Sequence, residues 1–142
     1  HRIDPRRQRQ KRMPDEPDLL FVYGTLRPSF GGEGASLVRH LKAEGPATAR
    51  GLLYDLGSYP GMVRGDGIVH GEVLRIASHA DLEALDRYEE CDGPWPLFRR
   101  ERIQIERPGQ EPASAWVYLY ARPVNAAPLI EQGAYLTWAP RL

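Results

Sequence analysis

Two adjacent carboxylates, Glu89 and Glu90, close a segment in which Leu82, Leu85 and Tyr88 recur at helical spacing. A carboxylate can take up and return a proton near neutrality when burial lifts its pKa by disfavouring the charged form. Judged residue by residue, a solvated carboxylate at a helix end is the commoner use of glutamate. The spacing sets Glu89 one step past Tyr88, at the margin of the apolar face, and leaves Glu90 as the alternative. A second feature is Gly24, which follows the apolar run from Leu19 to Tyr23. With no side chain there to block close approach, the amides of Gly24, Thr25 and Leu26 could point at a carboxylate or a developing oxyanion. A glycine that simply turns the chain after a strand is the commoner case. Tyr59 and Tyr120 offer hydroxyls and Arg27 a fork of donors, although core tyrosines with a wet tip and solvated arginines are frequent.

The elements around these residues follow from apolar period and punctuation. Leu19 to Tyr23 is too short for an ordinary helix and reads as a buried strand entering a loop. Leu37, Val38 and Leu41 predict a first helix over Ala35 to Lys42, with Gly45-Pro46 as its stop. A strand over Thr48 to Leu56 leads into the turn cluster Gly57-Ser58-Tyr59-Pro60-Gly61. Ile68 to Ile76 reads as another strand, with Gly71 marking a bulge or a close approach. Ser78 and Asp81 form a capping-box pattern ahead of a second helix ending near Glu89, and the prolines and glycine of Cys91 to Pro96 forbid its continuation. Phe98 to Glu106 and Ala113 to Ala121 form a hairpin pattern. In the second stretch Ala115, Val117 and Leu119 share one face and Trp116, Tyr118 and Tyr120 the other. Strands with two helices and late hairpins predict an α+β fold whose mixed sheet curls into a β-barrel flanked by helices.

Composition narrows the chemistry. One cysteine, Cys91, rules out an internal disulfide, and its acidic neighbours give the thiol nothing to activate it. The four histidines lack the close spacings of a zinc site, so no metal and no cofactor are expected. No apolar run approaches membrane-spanning length, so a cytoplasmic protein without membrane contact is expected. Residues 1–12 carry a net charge of +5 and the rest of the chain −5, which argues against a basic nucleic-acid-binding face on the body. Residues 1–17 are read as a disordered basic tail and 18–142 as one domain. The segment before Met13 is set apart from the fold.

Four segments in order resemble the gamma-glutamylcyclotransferase-like (AIG2-like) superfamily. They are Val22-Tyr23-Gly24-Thr25-Leu26, the stretch from Gly51 through Tyr59-Pro60-Gly61, Val69-His70-Gly71-Glu72-Val73, and Leu85-Asp86-Arg87-Tyr88-Glu89. The resemblance implies a mixed barrel with helices outside and a small cavity at one end. It also implies cyclisation of a γ-glutamyl group to 5-oxoproline with release of an amine or amino acid. Carried over residue by residue, it makes Glu89 the general base and acid and Tyr23, Gly24, Thr25 and Leu26 the substrate loop, with Tyr59 and Tyr120 as further lining. The implied partner is a small γ-glutamyl molecule. Glu90 stands where many relatives have glycine. The alternative is a binding or scaffold protein that keeps barrel and cavity without turnover.

Overall fold

The computed structural model describes residues 18–24 and 37–135. The basic tail, Thr25, Leu26, Arg27 and the start of the expected first helix lie outside the described residues. Among those described, five strands close into a barrel in the order β1-β3-β2-β4-β5. The strands are β1 (Asp18–Val22), β2 (Lys42–Asp55), β3 (Pro60–Ile76), β4 (Phe98–Glu106) and β5 (Ala113–Tyr120), and one helix, α1 (His79–Tyr88), lies between β3 and β4 in the chain. All neighbours are antiparallel except β1 and β5, which run parallel and close the barrel where Leu20 faces Trp116.

Alternation along β5 explains why the sheet is apolar on both sides. Ala115, Val117 and Leu119 turn inward and meet Phe21, Val69, Val73 and Ile105 in the barrel's interior. Trp116, Tyr118 and Tyr120 turn outward into a second layer with Val38, Leu41, Leu82 and Leu85. Successive side chains on a strand point to opposite faces, so one strand serves two cores. The second layer clamps α1 against the outside of the barrel and so fixes where that helix ends.

Two expectations differ in extent. The apolar spacing of Leu37, Val38 and Leu41 marks a buried surface, but the described part is a short helical turn, closed by a Leu41 N–H to Val38 carbonyl bond of 2.9 Å. Gly45-Pro46 does not end a helix. It lies inside β2, where Gly45 has φ +106° and the pairing with β3 shifts register between Ala43 and Gly45. Pro has no ladder donor to offer, and an irregularity of this kind is where a strand tolerates it.

The β2–β3 connection is a tight one. Leu56 N–H donates to the Tyr59 carbonyl at 3.0 Å, and Gly57 N–H donates to Asp55 Oδ1 at 2.9 Å. It delivers Tyr59 and Pro60 to the end of the barrel that holds the cavity. The close approach expected at Gly71 is that of β1, since a Cβ there would stand 2.3 Å from the Val22 carbonyl oxygen. Gly133 is tighter still. Its φ is +65°, a Cβ would fall 1.9 Å from the Ile68 carbonyl oxygen, and its own carbonyl accepts from His70 N–H at 2.8 Å. Gly133→Ala is therefore expected to cost about 2 to 3 kcal/mol, read as a fall in Tm of roughly 5 to 10 °C in a thermal melt. No helix among the described residues is long and apolar enough to cross a membrane.

Candidate active site

The end of α1 is built to stop at a fixed place. Cys91 N–H reaches back to the Asp86 carbonyl at 3.0 Å and Glu90 N–H to the Arg87 carbonyl at 3.1 Å. This is the paired bonding of a Schellman motif, with Glu89 as the C-cap and Glu90 in the left-handed position at φ +53°. Glycine is the usual occupant there, so Glu90 holds a backbone conformation that its side chain disfavours. The turn breaks the helix one residue after Tyr88 and aims Glu89 sideways into the hollow at the barrel's end.

Asp86, one turn earlier, ties this helix end to the sheet. Its carboxylate accepts from Arg100 Nε at 2.7 Å and Nη2 at 3.2 Å, and from the Tyr118 hydroxyl at 2.7 Å. Arg100 in turn lies 4.3 Å over the Trp116 ring, with Arg102 at 4.7 Å from the same ring. The Tyr118 carbonyl accepts from the Tyr23 hydroxyl at 2.6 Å, and Met62 N–H donates to that hydroxyl oxygen at 3.2 Å. One connected set of bonds thus joins α1, β4, β5, Tyr23 just past the end of β1, and β3. Burial, then the charge of Glu89, pushes the Tyr23 pKa far above its ordinary value. Tyr23 is a neutral post with both bonding directions committed to backbone, while its ring forms part of the cavity wall.

The cavity has a volume of about 210 Å³, and its lining includes Tyr23, Gly24, Tyr59, Pro60, Glu89 and Phe98. This is smaller than pockets that take drug-sized ligands and suits a group about the size of one amino acid. Gly24 is needed for close packing, since a Cβ there would stand 2.6 Å from Pro60 Cγ. Tyr120 stands behind this wall and not among the lining residues. Its ring meets Phe98 edge-on at 5.5 Å, and Phe98 meets Tyr59 at 6.0 Å.

Glu89 is part-buried, and among the described residues no hydrogen bond or ion pair reaches its carboxylate. Burial, followed by the charge of neighbouring Glu90, raises its pKa from 4.5 to about 7. A carboxyl group balanced near neutrality in an apolar hollow can act as a base in one step and an acid in the next. Cys91 is the reverse case. Burial, then Asp86 and Glu89, pushes its thiol up to about 12, which leaves it inert.

The segment after Glu90 is fastened at several points. Leu97 N–H donates to the Glu90 carbonyl at 2.9 Å, Ala121 N–H to the Leu97 carbonyl at 2.9 Å, and Arg122 Nη2 to the Trp95 carbonyl at 2.8 Å. Leu97 of this segment lines the cavity, next to Tyr88 from the last turn of α1.

Of the residues singled out in the sequence, Tyr23, Gly24, Tyr59 and Glu89 meet in one cavity, and Glu90 meets them at its mouth. Tyr88, expected on the buried face, is 37% exposed and forms part of the mouth. Asp86, Arg100 and Tyr118 were missed as a group. Asp86 sits inside the quoted Leu85-Asp86-Arg87-Tyr88-Glu89 segment, but the partners that give it a purpose lie on β4 and β5.

The family model described as gamma-glutamyl cyclotransferase, AIG2-like, matches residues 20–137. The chain is 39% identical over 121 residues to the gamma-glutamylcyclotransferase family protein YtfP of Escherichia coli K12, covering 82% of this chain and 95% of that protein. It is 34% identical over 111 residues to the gamma-L-glutamyl-butirosin B gamma-glutamyl cyclotransferase of Niallia circulans, covering 72% and 67% respectively. The solution structure of ytfP from Escherichia coli superposes with a TM-score of 0.63 at 39% identity, covering 84% of this chain and 96% of that one.

Proposed function

The chain belongs to the gamma-glutamyl cyclotransferase, AIG2-like family, and on that footing we propose that it cyclises a γ-glutamyl group to 5-oxoproline with release of an amine or amino acid. The observation that carries this reading is the Glu89 carboxyl, part-buried in a small, mostly apolar hollow that Gly24 also lines, with its pKa raised to about 7 by burial and then by Glu90. The Glu89 carboxylate takes a proton from the substrate's α-amine as its nitrogen bonds to the γ-carbonyl carbon, closing the ring and moving the carbonyl π electrons onto oxygen, from which they return when the leaving bond breaks. Glu89 returns that proton to the departing nitrogen as the γ-carbon to nitrogen bond breaks, so acid and base roles alternate on one group.

Ring closure is intramolecular, so a cavity that holds the acyl chain folded supplies about 7 kcal/mol or more of the barrier through orientation. In this reading Tyr23 and Gly24 shape the floor, and the Gly24 amide faces an oxygen of the substrate; the expected amides of Thr25 and Leu26 lie outside the described residues. Tyr59 forms the side wall, and Tyr120 supports it from behind.

The test is a panel of γ-glutamyl amino acids and γ-glutamyl amines incubated with the protein and assayed for 5-oxoproline. Release from at least one conjugate supports the reading. Silence across the panel, with a conjugate still raising Tm, would replace it with a binding role.

A further inference from the structure

We propose that Glu90 reads the charge of the departing amine, so that γ-glutamyl conjugates of cationic amines are processed in preference to conjugates whose leaving group carries a carboxylate. This deepens the cyclotransferase reading and rests on it.

The argument starts from direction. The acyl carbon must come to Glu89, the part-buried member of the pair, so the leaving group points out through the mouth, where Glu90 is exposed. Among the described residues that line the cavity, Glu89 and Glu90 are the only charged ones. The other described lining side chains are apolar, aromatic or glycine, so among the described residues the mouth carries negative charge that no lining cation offsets. Arg122 is the cation felt by the Tyr59 hydroxyl, and its Nη2 and Nε both donate to loop carbonyls, those of Trp95 and Pro96.

The backbone of Glu90 is also held in place. Its N–H donates to the Arg87 carbonyl, its own carbonyl accepts from Leu97 N–H, and its φ of +53° is one that a side chain disfavours. Its Cβ direction is thereby set by the turn. Glu90 itself lines the cavity, and its charge, after burial, raises the pKa of Glu89 and, after burial and Tyr120, that of Tyr59.

An exposed carboxylate carried on a fixed backbone attracts an ammonium group and repels a carboxylate in the same region, so the two effects add in a comparison of such substrates. The test uses three conjugates of similar length, γ-glutamylputrescine, γ-glutamylbutylamine and γ-glutamyl-γ-aminobutyrate, assayed for 5-oxoproline above the titration of Glu89. In the unmodified protein kcat/KM is expected to fall in that order, by about tenfold from first to last, mostly through KM and less so at high salt. Glu90→Gln is expected to compress the series to within about threefold. Glu90→Gly should compress it equally while raising Tm, because glycine is at ease at this φ. A flat or reversed series in the unmodified protein, or a tenfold preference that survives Glu90→Gln, overturns the role of Glu90 and leaves the cyclotransferase reading standing. No 5-oxoproline from any of the three overturns both.

Discussion

Glu89→Gln is expected to lower kcat for 5-oxoproline release by about a thousandfold, the scale of a lost general acid and base. The same change is expected to make the protein more stable above neutral pH. The sign follows from the direction of the pKa shift. Glu89 titrates near 4.5 when unfolded and near 7 when folded, so between those values the folded protein binds the extra proton. Stability conferred by the protonated form is full below about 4.5 and is lost as pH rises toward 7 and beyond. The loss amounts to about 2 to 3 kcal/mol for a part-buried group. Glutamine carries no charge to bury, so the variant's Tm should exceed that of the unmodified protein at about pH 8 and converge with it at about pH 4 to 5. Thermal melts across pH, paired with the 5-oxoproline assay, check both halves. A variant that is inactive but less stable at the alkaline end would mean that the carboxylate makes a stabilising contact that outweighs the cost of its burial.

Asp86→Ala is expected to be the largest stability loss near the site, about 2 to 3 kcal/mol, with a fall in Tm of roughly 5 to 10 °C. Removing the carboxylate leaves Arg100 and the Tyr118 hydroxyl without the acceptor that now takes three bonds from them. Because both side chains of the ion pair are only about a fifth to a quarter exposed, 21% and 24%, the pair is worth more than a surface one. Activity should fall beyond what unfolding explains, since Asp86 holds the last turn of α1 and with it the aim of Glu89. A double-mutant cycle with Tyr118→Phe separates the two contributions. Coupling between the substitutions near zero, in stability and in kcat alike, would contradict a shared network.

The parts of this architecture set by local pattern were legible in the sequence. The hairpin of β4 and β5 came from alternation and turn chemistry, and the placement of Ala115, Val117 and Leu119 opposite Trp116, Tyr118 and Tyr120 follows from period two alone. α1 came from its cap and its apolar face. Gly45-Pro46 misled because the same dipeptide that ends a helix also marks an irregular strand, and what lies across from it decides which. The roles of Glu89 and the Tyr23-Gly24 turn were not legible from spacing. They came from four motifs in order, because single glutamates and glycines have commoner uses. The Asp86, Arg100 and Tyr118 contacts were out of reach for another reason. They join residues 14 and 32 positions apart, and no local period reports such pairs. The strain at Glu90 was likewise invisible until the backbone of the turn was known.

The most direct test of the central claim is kcat/KM for 5-oxoproline release, measured against pH with a γ-glutamyl amine whose own groups titrate outside the range studied. With Glu89 as the base of the free enzyme, the profile should rise through a single limb centred near 7, the value to which burial and Glu90 bring this carboxyl. In Glu90→Gln the limb should move to lower pH. A limb near 4.5, or one that stays in place when Glu89 is replaced by glutamine, would show that another group carries the proton.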